Sequence, residues 1–550
     1  MHGVIEWAPA SSQLSVNRVS HFNKSLLALP HPPHSLLGGE RIGFNARNQP
    51  RPASPDFMNH ESHIPLSPSS TEFPRPMGRR RFLAGSFAAG VSLGFPSLHA
   101  AGANEEVRIA IVGLRSKGNQ HIELFKQIPG VRIVALCDVD SKILAARAQE
   151  HFGGKVGQHA DYREVLDRKD VDAVCLATPN HWHALGAVWA CQAGKDVYVE
   201  KPVSHNIWEG RQIVTAARKY KRIVQAGTQS RSSIGTQEFI ADVHGGKYGK
   251  IKVARGLCYK QRGSIGKVTG AQAVPANIDY NLWAGPRAIA PVMRKQFHYD
   301  WHWQWPYGNG DLGNQGIHEM DLCRWAIGKH DLPRRVISLG GRFGYDDDGE
   351  TPNTQVIILD YEPAPIVFEV RGLPDDARGK RMSQYRGGQV SMVIECEAGY
   401  FVGTNGGIFY NNDGKRVKAY SGGLGLHHHL NFIEAVRSRK HGDLHGEIAD
   451  GHLSSTLCHM GNISHRLGKA IPLEQLKEQC NGKNLQAEVF ERLLTHSLVH
   501  EKDFTRRPMI LGPQLGFDPA AESFTGEFSA EANALLKDEY REPFVMPDLT

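Results

Sequence analysis

The chain has 550 residues, 40% of them hydrophobic and 22% charged, with a mean hydropathy of −0.39. This length exceeds what one hydrophobic core holds, so more than one domain is expected. The composition excludes collagen, coiled coil and wholesale disorder, no run of about 18 apolar residues offers a stable membrane span, and the net charge of +7 raises the question of a nucleic-acid partner.

Residues 1–76 are rich in Pro, Ser, His and Asn, include HPPHS and PLSPSS, and show neither helical nor strand periodicity. They read as a disordered or untranslated extension. Met77-Gly78-Arg79-Arg80-Arg81-Phe82-Leu83 then forms a basic segment, Ala84 to Leu98 a weakly apolar one, and Ala101-Gly102-Ala103 a small-residue cleavage signal. That order is expected of a twin-arginine export signal over 77–103, with Met77 as initiator, the export machinery as a partner and a periplasmic or otherwise exported location. Residues 1–103 hold 9 Lys+Arg against 5 Asp+Glu, so +4 of the charge lies there and +3 remains for the rest. That remainder is no electrostatic footprint for nucleic acid. Eight cysteines without a C-x-x-C pair make no disulfide framework. Cys137 and Cys175 fall in apolar strand-like runs, as small buried residues do.

From Val107 short β-rich runs alternate with amphipathic helical runs, the pattern of a parallel sheet covered by helices on both faces. Strands are predicted at Val107 to Val112, Val131 to Cys137, Val171 to Ala177, Asp196 to Val199 and Ile223 to Ala226, and helices at Asn119 to Gln127, Lys142 to His151, His183 to Ala193 and Ile207 to Lys219. The expected fold is a doubly wound α/β dinucleotide-binding (Rossmann) domain over 104–228. The first strand ends in Gly113-Leu114-Arg115-Ser116-Lys117-Gly118, where a dinucleotide fingerprint wants G-x-G-x-x-G, so the middle glycine is replaced by Arg115. The second strand ends at Asp138, 25 residues beyond Gly113, where a carboxylate bonds ribose hydroxyls and repels a 2′-phosphate. NAD is therefore favoured over NADP. A structural glycine turn with an Asp helix cap is the plain alternative.

Carboxyl ends of strands line the ligand crevice of such a sheet, which places Thr178-Pro179-Asn180-His181-Trp182-His183 and Glu200-Lys201-Pro202 at the cofactor. A lysine there has its pKa lowered by desolvation, which suits chemistry; a surface Lys–Glu pair is the alternative. Expected cofactor contacts are Gly113, Leu114, Arg115, Gly118, Asp138, Thr178, Pro179, Asn180, His183, Glu200, Lys201 and, after the fifth strand, Gln229.

With E-K-P at Glu200-Lys201-Pro202 and G-I-H-E-M-D at Gly316 to Asp321, the chain resembles the glucose-fructose oxidoreductase, inositol dehydrogenase and rhizopine catabolism (Gfo/Idh/MocA) family over about Val107 to Leu473. The layout looks like that of its exported, sugar-directed members. The resemblance implies a second α/β domain over 229–475, with a large open, mostly antiparallel sheet that supports substrate and often an oligomer interface; a homo-oligomer is expected. It also implies catalytic roles for Lys201, beside nicotinamide and substrate, and for His318, which takes the proton of the substrate hydroxyl as hydride leaves. Polyol dehydrogenases of the family carry an Asp four residues before that histidine; here Asn314 orients a hydroxyl but relays no proton.

Beyond the linker Gly227 to Ser233, the stretches Tyr280 to Pro286 and His298 to Trp305 hold four of the nine tryptophans. Aromatic faces stack on sugar C–H faces while His, Asn and Asp bond hydroxyls. Read as a strand, 301–305 puts Trp301, Trp303 and Trp305 on one face and His302 and Gln304 on the other. Expected substrate contacts are Arg231, Trp283, His298, Tyr299, His302, Asn314 and Asp321. No metal site is expected: the run His427-His428-His429 opens a helix, Leu430 to Ser438, and adjacent side chains diverge. Residues 476–550 form an extension, with helices at Gln486 to Val499 and Glu531 to Tyr540 that wrap the second domain or a partner subunit.

Three functions are open at this level. One is an NAD(P)-dependent oxidoreductase acting on CH–OH groups of a sugar, sugar derivative or cyclitol, with tightly bound cofactor recycled in place, since a periplasm offers no free nicotinamide pool. Another is a redox-neutral, NAD-dependent glycosidase or lyase using transient oxidation; the related glycosidases often depart at the E-K-P lysine, which is present here. The third is a non-catalytic sugar-binding protein, which would have lost Lys201 or His318.

Overall fold

The computed structural model describes residues 106–550; the expected export signal and the segment before it lie outside the described residues. Strands β1 (Val107–Val112), β2 (Val131–Cys137), β3 (Gly157–His159), β4 (Ala173–Leu176), β5 (Asp196–Val199) and β6 (Val224–Ala226) form a parallel sheet in the order β3-β2-β1-β4-β5-β6. Between them run α1 (Ser116–Phe125), α2 (Ser141–Phe152), α3 (Tyr162–Asp167), α4 (Asn180–Gln192) and α5 (Ile207–Lys219). The apolar strand runs follow from burial on both faces. Val107, Ile109 and Ile111 of β1 pack with α1 and α2, whereas Ala110 and Val112 pack with α4 and α5. Helix starts are set by caps: Asp140 accepts from the N–H groups of Lys142 and Ile143, and Asn206 from that of Glu209.

Hydropathy misses β3 and α3 because β3, Gly-Gln-His on the sheet edge, carries no apolar run. Helix α1 starts three residues before the predicted Asn119, which puts Lys117 and Gly118 in its first turn.

After α6 (Ile234–His244), β7 (Ile251–Tyr259) begins a second sheet. Helices α7 (Tyr280–Ala284), α8 (Gly310–Asn314) and α9 (Gly316–Ala326) intervene before β8 (Arg335–Gly341), β9 (Thr354–Leu359), β10 (Ile366–Arg371), β11 (Val390–Cys396), β12 (Gly399–Gly403), β13 (Gly407–Asn411) and β14 (Arg416–Tyr420). Four short strands, β15 (Lys469–Ala470), β16 (Ile510–Leu511), β17 (Leu515–Asp518) and β18 (Ser523–Thr525), bring the sheet to 12 strands. Its pairs are antiparallel except β7 with β10. Alternation sorts β9 and β10: Ile357, Leu359, Ile366 and Phe368 face α9 and α11 (Ile448–Arg466), while Val356 and Val367 face α12 (Leu473–Cys480) and α13 (Leu485–His500) on the other side. The C-terminal extension thus covers part of the second face.

Two segments cross the domain boundary drawn from sequence. Helix α10 (His427–Ser438) follows the second sheet in the chain but buries Phe432, Ile433 and Val436 against the first sheet. The predicted helix Glu531 to Tyr540 is only α14 (Ser529–Asn533); beyond it the chain is an irregular strap. Besides local turns such as Phe544 N–H to the Arg541 carbonyl, its backbone bonds outward, with the Trp208 N–H of the first domain donating to the Leu536 carbonyl and the Arg541 N–H to that of Pro286. Phe544 then buries its ring against Trp182 and Trp189. All eight cysteines are unpaired, and no helix among the described residues is long and apolar enough to cross a membrane.

Candidate active site

The carboxyl ends of β1, β2, β4 and β5 face residues from the segment after β7 and from α7, α8 and α9 across a cleft of about 510 Å³. The turn after β1 is built for close approach. Gly113 has φ +83°, and a Cβ there would lie 2.6 Å from the Ala177 carbonyl oxygen. A Cβ on Gly118 would lie 1.8 Å from the Gly113 carbonyl oxygen, so this glycine packs helix onto turn and does not line the cleft. Arg115, where the fingerprint has its middle glycine, keeps a negative φ of −73° and presents its side chain at the cleft. Asp138 ties β2 to this turn: its carboxylate accepts from the Leu114 N–H at 2.7 Å and the Asp140 N–H at 2.9 Å. Burial pushes its pKa up, against the pull of those two N–H groups.

At the end of β4, Thr178, Pro179, Asn180 and His183 line the cleft, and the Thr178 hydroxyl is buried with no partner among the described residues. His183 bridges two strand ends, its Nδ1 2.6 Å from the Pro202 carbonyl and its Nε2 2.7 Å from that of Thr178. The Glu200 carboxylate lies 3.0 Å from His121 Nε2 and 3.5 Å from Lys117 Nζ. Burial alone would raise its pKa, but Lys117 and His121 more than offset that and hold it well below the usual range.

Lys201 is not paired with Glu200: its ammonium donates to the Asn314 carbonyl at 2.7 Å. Burial lowers its pKa, against the pull of Glu200. Asn314 and His318 border the same space. Among the described residues neither nitrogen of the His318 ring has a hydrogen-bond partner, and Nδ1 is buried, which leaves Nε2 for the cleft. Burial, then the nearby Lys201 ammonium, hold its pKa well below 6.5, so the ring is neutral.

The tryptophan-rich segment is not a strand. Residues Asp300–Trp303 form a 3₁₀ turn that buries Trp301 and Trp303 and stacks His302 on Trp301 at 3.7 Å, with His302 and Tyr299 facing the cleft. Three residues per turn, not two, sort these side chains. Trp283 is a buried part of the cleft wall, under the Arg294 guanidinium at 4.6 Å. His298 lies at the cleft with its Nε2 2.9 Å from Asp140, which makes it a link to the first domain.

Besides Gly118, three expected contacts lie away from the cleft lining. Arg231 and Asp321 form a buried two-point ion pair at 2.7 and 2.8 Å, completed by Ser454, so neither is free for substrate. Gln229 sits beside Arg231 in a 3₁₀ turn, its side-chain oxygen buried without a partner. In the histidine run, His428 is fixed by Ser232 and the Ala226 carbonyl, and His429 Nε2 is 2.8 Å from His121 Nδ1.

Sequence reasoning missed Lys117, Lys260 and Arg262 as cleft residues. Lys117 lay inside the quoted turn, and the first-turn position of α1 is the signal that was available. Lys260 and Arg262 follow β7, which no motif marks. The donors and glycines of the β1 turn, the unpartnered Thr178 hydroxyl and the α1 N-terminus together fit a dinucleotide.

The family described as "Oxidoreductase family, NAD-binding Rossmann fold" matches residues 107–228, and the one described as "Oxidoreductase family, C-terminal alpha/beta domain" matches residues 249–347. The chain is 32% identical over 126 residues to "Alpha-N-acetylgalactosaminidase" of Shewanella oneidensis, a match over 22% of this chain and 27% of that protein. It is 31% identical over 209 residues to "Glycosyl hydrolase family 109 protein" of Saccharopolyspora erythraea, over 33% of this chain and 45% of that one. The chain thus spans between about a quarter and a half of the length of these curated relatives. Among solved structures, the WlbA dehydrogenase of Bordetella pertussis, in complex with NADH and UDP-GlcNAcA, is 19% identical with a TM-score of 0.49, over 66% of this chain and 97% of that one. Residues 107–228 therefore match the NAD-binding Rossmann model, and residues 249–347 the C-terminal α/β model, of the Gfo/Idh/MocA oxidoreductase family, and NAD is the cofactor of the first of these segments.

Proposed function

We propose that the protein is an oxidoreductase acting on a CH–OH group of a sugar, sugar derivative or cyclitol, with Lys201 and His318 as its catalytic residues. The observation that carries this reading is the pairing of a neutral, unpartnered His318 with the Lys201 ammonium in one NAD-domain cleft. When bound, NAD supplies the hydride acceptor; the turn at Gly113, Leu114 and Arg115, Asp138 and the β4 end would hold it. The chain's own residues manage the proton and the oxygen. His318 Nε2 accepts the hydroxyl proton, for which it must be neutral, as its surroundings keep it. Lys201, held on the Asn314 carbonyl, has two further N–H donors for the substrate oxygen as its charge develops. Asn314 lines the same wall and orients a hydroxyl. The proposal includes export of the folded, loaded protein, motivated by the signal at 77–103.

A second reading is favoured by the relatives named as glycosyl hydrolases: a redox-neutral cycle in which transient oxidation allows a glycosidic bond to break. Lys201 supports the first reading. Purified protein scanned at the reduced-nicotinamide absorbance band, with sugars added singly, tests them. A lasting rise that Lys201→Ala abolishes is expected; glycoside cleavage with no lasting rise would move the assignment to the redox-neutral cycle. Full turnover in Lys201→Ala would remove the assigned role.

A further inference from the structure

Three cleft cations bond to one short segment of the second domain, residues 311–315. Lys201 donates to the carbonyl of Asn314, and Lys260 Nζ donates to the side-chain oxygen of Gln315 at 3.0 Å. Arg262 grips Asp311 through Nε and Nη2 at 2.7–3.0 Å and reaches the Tyr299 hydroxyl at 3.3 Å through Nη1. Lys201 comes from the end of β5, the other two from the end of β7, and residues 311–315 lead directly to His318.

The acidic groups do not balance these charges. Three carboxylates line the cleft: Asp138, Asp161 and Glu200. Asp138 accepts from the nucleotide turn, Asp161 pairs with Arg163, and Glu200 is engaged by His121 and Lys117. Asp311 answers Arg262 alone. Glu319, next to His318, is buried, and burial pushes its pKa up to about 8, so it keeps its proton at neutral pH. Lys260 forms no ion pair among the described residues; its one side-chain partner is an uncharged amide. It keeps two N–H donors free, and Arg262 has spare N–H groups beside it. A neutral polyol needs acceptors as well as donors in its pocket, and this wall offers mainly donors.

Resting on the oxidoreductase reading above, we infer that the substrate is an acidic sugar, a uronate or aldonate, whose carboxylate is held by Lys260 and Arg262 while its reacting hydroxyl faces Lys201 and His318. With Arg115 on the nucleotide turn, one uncompensated cation is left beside residues 311–315, which suits a monoanion rather than a phosphate dianion. Lys260 is then a specificity-determining residue.

The test uses the NAD-loaded protein and matched pairs: glucose with glucuronate, galactose with galacturonate, and glucose 6-phosphate as the phosphate arm. Tryptophan fluorescence reads binding and the nicotinamide band reads oxidation. At least one uronate is expected to bind about tenfold or more tighter than its neutral partner, with the advantage shrinking in salt and falling to about threefold or less in Lys260→Gln. Parity in every pair, no binding of any acid, tighter binding of the phosphate, or a preference that survives Lys260→Gln would overturn the inference. Uronate binding without nicotinamide reduction keeps this inference and sinks the oxidoreductase reading. A neutral sugar oxidised while both uronates are ignored does the reverse.

Discussion

Two side chains in the cleft have their charge states set by surroundings rather than by type. His318 is neutral because burial and the Lys201 ammonium disfavour its protonated form, and Lys201 has a lowered pKa because it is desolvated. The sign of each shift predicts a pH profile. The base form of His318 persists below 6.5, so turnover should show no acid limb at that value; the acid form of Lys201 is lost as pH rises through a pKa below 10.5, so the alkaline limb should come early. A kcat profile over pH 5–10 checks both, and an acid limb centred near 6.5 would contradict the neutral-base role. His318→Asn should cost about 10²–10⁴ in turnover with an unchanged melting curve. Both residues stand in short motifs, and the role proposed for His318 comes from the family resemblance that those motifs carry. Lys260 and Arg262 were not legible in the sequence, because their significance lies in Asp311 answering Arg262 while no carboxylate reaches Lys260, a property of the folded cleft. Arg231 and Asp321 show the converse: polar residues near a site motif, read as contacts, which satisfy each other in the interior.

Elements were predictable where burial imposes a period. The runs of β1 and β2 came out at their exact bounds because both sheet faces are covered, whereas the polar edge strand β3 left no trace in hydropathy. The turn after β1 depends on backbone space: Gly113→Ala would press a Cβ to 2.6 Å from a carbonyl oxygen in a left-handed conformation. It should weaken NAD binding about tenfold or more, measured by equilibrium titration, while Arg115→Ala, at a relaxed φ, should leave the turn intact. The strap beyond α14 shows how tertiary partners override a helical period, since its backbone is bonded across to α5 and to the turn at Pro286. Phe544 is 1% exposed between two tryptophans. Phe544→Ala should therefore destabilise by about 3 kcal/mol in chemical denaturation; a loss under about 1 kcal/mol would show the strap to be loosely held.

At the scale of the molecule, burial of neutral histidines makes stability depend on pH. His428, His459 and His496 are each pushed down to about 3 by burial. In the unfolded chain they take up protons below about 6.5, so the unfolded state binds more protons across the interval between these values. The stability they contribute is complete above 6.5 and is lost as pH falls toward 3. The thermal midpoint should accordingly drop between pH 7 and pH 5, above the range where carboxylates titrate; a flat midpoint there would refute it. Local periodicity and short motifs by themselves determined the alternating parallel sheet and the nucleotide turn, because each βα unit is encoded within about thirty consecutive residues. Only the tertiary structure decided that α10 and the C-terminal strap belong against the first domain, that the tryptophan segment is a 3₁₀ turn, and that one cleft wall carries an unbalanced lysine. Those outcomes depend on which distant surfaces bury each other and which charges find partners, and residues hundreds of positions apart settle both.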